Sequence, residues 1–277
     1  MEYFYKVKLT NDKELKVREM NLEEYKNLQK ICIEDDISIF QDYIKTIFNN
    51  LVLDEFNFDE LNIIDIYVLM LSIRKYSVSD EKGFRTRKEG KDCLVDISLD
   101  GLIDKVISIV DDNSIKEVEL DDFVADSVIV DILKSGGGIR AFKKEGQIID
   151  DFGENINDLL PIHVKTQIEG SIGDIKNQYR IKLFELVDKN DNQMDITFEL
   201  EESFIYNFLK VICKDDLKSL YSNLYNVKKA IGIGFDEHEH ITLSEFEMYI
   251  NLFNKDQQKE REEQEQGSNN FMPNVNM

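Results

Sequence analysis

The chain predicts a mixed α+β fold, predominantly helical, with short antiparallel strand pairs packed on the helices. Two kinds of pattern predict it. Several stretches repeat apolar residues at intervals of three and four, the spacing of one helical face. Between them lie short alternating runs joined by turn-forming residues, as in hairpins. A third observation marks the centre: Phe58–Ser77 is the most apolar helix candidate, with only Asp65 and Arg74 interrupting its middle. A helix apolar nearly all round must be covered on most sides, and charges within it need partners.

Taken in order, residues 3–9 and 14–18 alternate around Asn11-Asp12 and predict a hairpin. Asn21 is the expected cap of a helix through Leu22, Tyr25, Leu28 and Ile31. Its partner, over about 35–50, carries Ile37, Phe40, Ile44, Ile47 and Phe48 at helical spacing. The apolar helix follows from about Asp59, its expected N-cap. Phe84–Arg87 and Asp92–Ile97 flank Glu89-Gly90 as a second hairpin. Residues 99–110 predict a helix and 115–120 and 127–133 strands, with a break at Ser135–Gly138. The weakly patterned stretch 139–178, with glycines at 146, 153, 170 and 173, reads as loop with short helical pieces. Tyr179–Val187 and Met194–Leu200 form a strand pair around Asp188–Gln193. Helices at 202–213, 215–230 and 242–253 follow, the last continuing into the charged Lys255–Gln266. Gly267–Met277 is polar and expected to be disordered when free. The division expected is an N-terminal α+β domain at 1–110, a β-rich middle at 111–200, a helical region at 201–265 and a tail at 266–277.

The totals bound the function. At 277 residues and 42% hydrophobic the chain can build a sizeable core. Its 56 acids against 34 bases give a formal charge of −22. Such a field repels nucleic-acid phosphates and anionic membranes, and fits a basic partner surface. Cys32, Cys93 and Cys213 form no C-x-x-C pair, so neither a disulfide framework nor a zinc ribbon is indicated, and a reducing cytosol is expected. The first residues carry no signal-peptide pattern, and Asp65 and Arg74 interrupt the longest apolar run too much for a membrane span.

Few residues invite chemistry. Asp188, Asn190 and Asn192 fall at positions one, three and five of an EF-hand loop, and Glu199 falls at twelve. Gln193 stands where that loop needs glycine, Asp195 where it places an aliphatic, and the flanks alternate like strands, so a polar hairpin tip is the stronger reading. His238 and His240 lie beside carboxylates before a helix, with His163 far away; a solvated loop outweighs a metal site. Gly136–Gly138 lacks the ending and spacing of phosphate-binding loops. Cys93 reads as a structural thiol. Asp111-Asp112, Asp121-Asp122 and Asp150-Asp151 are unspecific in so acidic a chain. No nucleophile, base and orienter set is readable, which argues against an enzyme and implies no cofactor.

Two stretches together resemble a known family. Asp65-Ile-Tyr-Val-Leu-Met-Leu-Ser-Ile-Arg74-Lys-Tyr-Ser77 is similar to the D-x-x-x-L-x-x-x-I-R-x-x-S helix of baseplate hub assembly proteins of T-even-type contractile-tailed phages. Ile241–Asn254, with Glu245, Tyr249 and Ile250, resembles the L-S/T-x-x-E-x-x-x-Y-I helix near their C-termini. The match covers the N-terminal third and the C-terminal quarter and leaves 110–178 unplaced. Asp65, Arg74, Ser77 and Glu245 form its signature. Ser77-Val78-Ser79 departs from the Ser-x-Gly in which such helices often end, and the long acidic tail has no counterpart.

The resemblance implies a non-enzymatic tail-morphogenesis protein, a component or assembly factor of the baseplate hub. Its partners would be other baseplate or tail proteins in a hetero-oligomeric assembly, not nucleic acid or membrane. Its location would be the host cytoplasm during assembly, or the virion. Asp65 and Arg74 are nine positions apart, about two and a half turns, so they face opposite sides and each needs its own partner. The candidate interaction residues are the stripe Phe246, Tyr249, Ile250 and Phe253, with Phe271 and Met272 as anchors on the tail. A second reading, from a different class, is a cytosolic calcium-responsive module using Asp188, Asn190, Asn192 and Glu199. A third is a magnesium-dependent hydrolase built on the acidic clusters.

Overall fold

A hairpin and two helices lead into the apolar segment. The computed structural model describes residues 3–108, 114–120, 125–134, 138–149, 161–231 and 240–269. Strand β1 (Tyr5–Lys8) pairs antiparallel with β2 (Glu14–Val17), and Val7 stands opposite Leu15. Helix α1 (Leu22–Ile31) starts in a capping box: Asn21 Oδ1 accepts from Glu24 N at 2.8 Å, and Glu24 Oε2 accepts from Asn21 N at 2.9 Å. Helix α2 (Ile37–Leu51) is capped by Asp36 and buries the expected stripe from Phe40 to Phe48.

The central helix begins later than its sequence suggests. Asp59 lies in a one-turn 3-10 segment (Phe58–Glu60) that ends in the extended Leu61. Helix α3 (Ile63–Ser77) is capped instead by Asn62, whose Oδ1 accepts from Ile64 N at 2.9 Å and Asp65 N at 2.8 Å. Asn62 prevails because Asp65, three residues on, completes a second capping box. All of α3 except Lys75 and Tyr76 is buried.

Strands β3 (Glu81–Lys88) and β4 (Lys91–Ser98) form a hairpin on Glu89 and Gly90, both at positive φ. That backbone matches the right-handed twist of the strands. Ser98 then caps α4 (Leu99–Ile107). An antiparallel sheet in sequence order follows: β5 (Ile115–Glu119), β6 (Ser127–Asp131), β7 (Gly138–Lys144) and β8 (Gln147–Ile149). The stretch expected to be loop thus holds a hairpin turning on Glu145-Gly146, with the same pair of positive φ angles as Glu89-Gly90. It also holds helix α5 (Ile162–Asn177), which buries Val164 and Ile168. Gly170 and Gly173 weaken that helix intrinsically, by ~1 kcal/mol each relative to alanine, so packing must hold it.

Strands β9 (Ile181–Val187) and β10 (Gln193–Phe198) pair antiparallel, with a bulge between Ile196 and Thr197. Helices α6 (Glu202–Cys213), α7 (Leu217–Ile231) and α8 (Leu243–Asn269) complete the chain's described order. The last runs past Gly267, where disorder was expected to begin; Phe271 and Met272 lie outside the described residues.

These elements pack around α3, which contacts α4, α6 and β1. One apolar cluster runs from Val7 to Phe246. The hairpins join it through aromatics: Tyr67 of α3 meets Phe198 edge-on at 5.7 Å and stacks on Phe208 at 5.9 Å, and Phe84 and Phe184 lie 5.2 Å apart. Such pairs add about 0.5–1.5 kcal/mol each beyond their buried area. The Tyr67 hydroxyl is fully buried and finds no hydrogen-bond partner among the described residues. An unpaired buried hydroxyl forfeits its hydration. Tyr67→Phe should therefore leave stability unchanged or raise it by up to ~1 kcal/mol, read from urea unfolding curves; a clear loss would reveal a bond to that hydroxyl.

Candidate functional site

Asp65 and Arg74 stand at opposite ends of α3, and each holds a distant backbone segment. Asp65 Oδ1 accepts from Thr10 N at 2.8 Å and Thr10 Oγ1 at 2.9 Å, while Asn62 Nδ2 donates to Thr10 Oγ1 at 2.7 Å. The turn of the β1–β2 hairpin is thereby tied to the start of α3. The backbone at the end of β6 arrives there too, where Ile63 N donates to Leu133 O at 3.1 Å.

Arg74, 3% exposed, does the same at the other end of the helix. Its Nε donates to Ile212 O and an Nη to Asp215 Oδ1, both at 3.0 Å. Asp215 Oδ1 also accepts from Lys82 Nζ at 2.7 Å, and Oδ2 from the Tyr25 hydroxyl at 2.7 Å. Gln29 closes the network, accepting from Asp215 N at 2.7 Å and donating to Cys213 O at 2.8 Å. One carboxylate thus faces two cations and a phenol, and the α6–α7 junction is fixed from α1, α3 and β3. Burial, then the neighbouring Asp215 charge, pushes the Tyr25 phenol up, so it stays a donor at neutral pH. Burial also pushes Cys213 up to about 12, and raises Cys32, so both are thiols rather than nucleophilic thiolates.

Ser77 joins the two resembling stretches. Its Oγ accepts from Met20 N at 2.9 Å, while Met20 O accepts from Leu243 N at 3.4 Å. Leu22 N donates to Ile241 O at 3.0 Å, and Asn21 bridges Thr242. Glu245 completes a capping box with Thr242, accepting from Thr242 N at 2.9 Å and donating its own N–H to Thr242 Oγ1 at 3.2 Å. Segment 19–22 is therefore clamped between the end of α3 and the start of α8. Asp65, Arg74, Ser77 and Glu245 all act on backbone ends. Their partners Thr10, Met20 and Asp215 carry no local sequence signal, because their roles arise only when remote segments meet.

The C-terminal stripe requires a correction. Phe246 is 3% exposed, inside the core, and Tyr249, Ile250 and Phe253 are half-buried. Helical spacing shows that these residues share a face, not what covers it; α1 and α7 cover it. The apolar residues that α8 shows to solvent are Met248, 65% exposed, and Leu252, 57% exposed. A second exposed set, missed from the sequence, is Tyr3, Phe4 and Tyr5, with Tyr5 stacked on Tyr76 at 4.0 Å. Tyr3-Phe-Tyr5 was legible as a strand start, but its exposure was not.

The EF-hand-like segment is a hairpin tip. Asp188 accepts from the N–H groups of Asn190 and Asn192 at 2.7 and 2.8 Å, and from Asn192 Nδ2 at 3.0 Å. Those bonds, the Asn192 side chain foremost, hold its carboxyl below the usual range. Glu199 lies beyond β10, ~20 Å from the tip at ~3.3 Å per residue, and pairs with Arg180. The twelve-position ligand set is not brought together, and among the described residues no group of three His, Cys, Asp or Glu could hold a metal ion. His163, on α5, and His240, in the turn before α8, are exposed, while His238, Gly136, Gly137 and the paired acids at 111–112, 121–122 and 150–151 lie outside the described residues. Millimolar calcium should leave the thermal midpoint unchanged in a melting scan; a rise that Glu199→Gln removes would contradict the hairpin assignment.

The Arg74 network predicts larger effects. Asp215→Ala leaves a buried guanidinium facing only carbonyl oxygen, and should cost about 3 kcal/mol. Ser77→Ala, which strands the Met20 N–H, should cost about 1 kcal/mol. Urea denaturation followed by circular dichroism checks both; equal losses would show that the charge pair is not the stronger tie.

Among the described residues no helix is long and apolar enough to cross a membrane. Comparison with curated protein sequences and with solved structures gives no significant match. Residues 1–131, just under half of the chain, match the family model described as T4 bacteriophage base plate protein. That segment holds the hairpin, α1 to α4 and the Asp65/Arg74 helix, and over it the chain is similar to T4-type phage baseplate proteins.

Proposed function

We propose that this protein is a component or assembly factor of the baseplate hub, acting without catalysis through contacts with other tail proteins. The observation that carries the reading is the clamp on Met20. The Asp65–Ser77 helix lies in the family-matched segment, the Ile241–Asn254 helix lies far outside it, and both hold residues 19–22. The side chains that resemble hub proteins thus fix the frame from which α8 emerges. Its exposed Met248 and Leu252, and the tail beyond Asn269 with Phe271 and Met272, are the surface offered to a neighbouring hub or tail protein. An anchor on a tether gains affinity by ordering on its partner.

Deleting residues 267–277 should abolish co-purification with the tail proteins encoded beside this gene, while Tm stays within about 2 °C of the full chain. Undiminished recovery of those proteins would remove the tail from the interaction, and neighbouring genes unrelated to tails would overturn the hub assignment.

A further inference from the structure

A strand at the edge of a sheet leaves backbone groups unpaired, and proteins keep such edges short, bulged or covered. Among the described residues most edges follow that rule. Strands β1 and β8 are four and three residues long. The outer side of β2 is bonded by the chain after α2, where Arg18 N donates to Leu51 O at 3.0 Å and Leu53 N to Lys16 O at 2.8 Å. Helix α5 packs on β5, and β10 carries its bulge. The outer side of β3 meets β9, where Val187 N donates to Thr86 Oγ1 at 2.7 Å.

Strand β4 departs from it. It runs for eight residues, and its register with β3 has no shift. Leu99 N donates to Asp80 O at 2.7 Å, so the pairs that bond across the hairpin are the alternate ones, Lys82–Ile97, Phe84–Val95 and Thr86–Cys93. The N–H and C=O groups of Asp92, Leu94 and Asp96 therefore point away from β3, and among the described residues nothing bonds them. Their side chains share the solvent face, where Leu94 is 68% exposed between the two carboxylates. Neither aspartate forms an ion pair among the described residues: Arg87, across from Asp92, turns to Asp191, and Arg85 lies on the β3 side, away from the open edge. On the opposite face Cys93, Val95 and Ile97 are half-buried.

The charges decide which strand can add. The register that pairs the whole edge with a second copy centres on Leu94 and sets Asp92 against Asp96. Like charges directly opposite one another destabilise a sheet. A basic strand meets attraction at both positions, and the formal charge of −22 draws the same partner from a distance.

We infer that β4 is a strand-addition site, filled by an extended segment of a partner protein. That segment carries basic residues opposite Asp92 and Asp96 and apolar residues between them, opposite Cys93, Leu94 and Val95. Main-chain hydrogen bonds give such a contact its affinity, and the side chains give its specificity. The inference goes beyond the hub reading and does not rest on it, because a peptide suffices to observe it.

Fluorescence anisotropy of a labelled synthetic peptide carrying Lys-Val-Leu-Val-Lys, titrated with the full chain, tests the inference. Binding should be saturable. Asp92→Lys/Asp96→Lys should weaken it about tenfold or more, as two cross-strand attractions become repulsions. The peptide with both lysines changed to glutamate should bind that variant instead. Methylating the peptide's backbone nitrogens should abolish binding while every side chain and the protein stay unaltered, which covers the case in which the charge reversal misfolds. Absence of saturable binding, equal binding by the methylated peptide, or a folded charge reversal that binds as well as the parent would each overturn the proposal. So would self-association in sedimentation equilibrium that Leu94→Pro removes, since proline there costs only an outward N–H and the edge would then belong to a second copy.

Discussion

The interaction on which the rest depends is the pairing of Arg74 Nε with Ile212 O and of one Nη with Asp215 inside the protein. A helix apolar on every side is driven into the core by burial, but burial alone gives it no preferred rotation about its axis. The two charges supply that preference. Turning α3 by one residue, about 100°, would carry Asp65 away from Thr10 and Arg74 away from Ile212 and Asp215. A buried guanidinium without its carboxylate is costly, so one rotation is strongly selected. With it come the hairpin turn at one end of α3 and the α6–α7 junction at the other.

How legible this was in the sequence varied with the range of the cause. Asn21, Ser98 and the stripe of α2 were readable because a cap or an amphipathic face needs only a few neighbours. The apolar helix declared itself by composition, and its need for partners by its charges. The partners could not be read: Asp215 is 141 positions from Arg74, and Lys214-Asp215-Asp216 looks like any polar connector. Two misses were avoidable. Glu145-Gly146 repeats the Glu89-Gly90 turn, and Val164, Ile168, Ile172 and Ile175 keep helical spacing through the glycines of α5. The burial of Phe246 shows a limit of a different kind, because periodicity identifies a face and cannot say whether a partner or the protein itself covers it.

The polar ties also separate what identifies the molecule from what it offers to others. Asp65, Arg74, Ser77 and Glu245 spend their hydrogen-bonding capacity on the chain's own backbone, and the first three are buried. Ser77, through Met20, and Glu245, through its capping box, fix where α8 starts. Among the exposed apolar residues that these ties do not use are Met248 and Leu252 on α8, Tyr3 and Phe4 at the N-terminus, and Tyr221 and Tyr225 of α7. Exposed aromatics and methionines are the side chains enriched at protein interfaces.

The boundary of the family match sharpens this division. Residues 1–131 contain Arg74, Lys82, Tyr25 and Gln29, yet the carboxylate and carbonyl groups that satisfy them, Ile212 to Asp215, lie outside. The matched segment is therefore not closed in its polar chemistry. Cut at 131, it would leave a buried cation, a buried glutamine and a phenol facing water or nothing, each an energetic loss comparable with a sizeable fraction of a domain's net stability. In this chain the Asp/Arg helix takes its carboxylate from the α6–α7 junction, far along the sequence. The Asp65-to-Ser77 pattern is thus a statement about two regions of the fold, and the C-terminal helices that carry the outward-facing surfaces are the region that answers it.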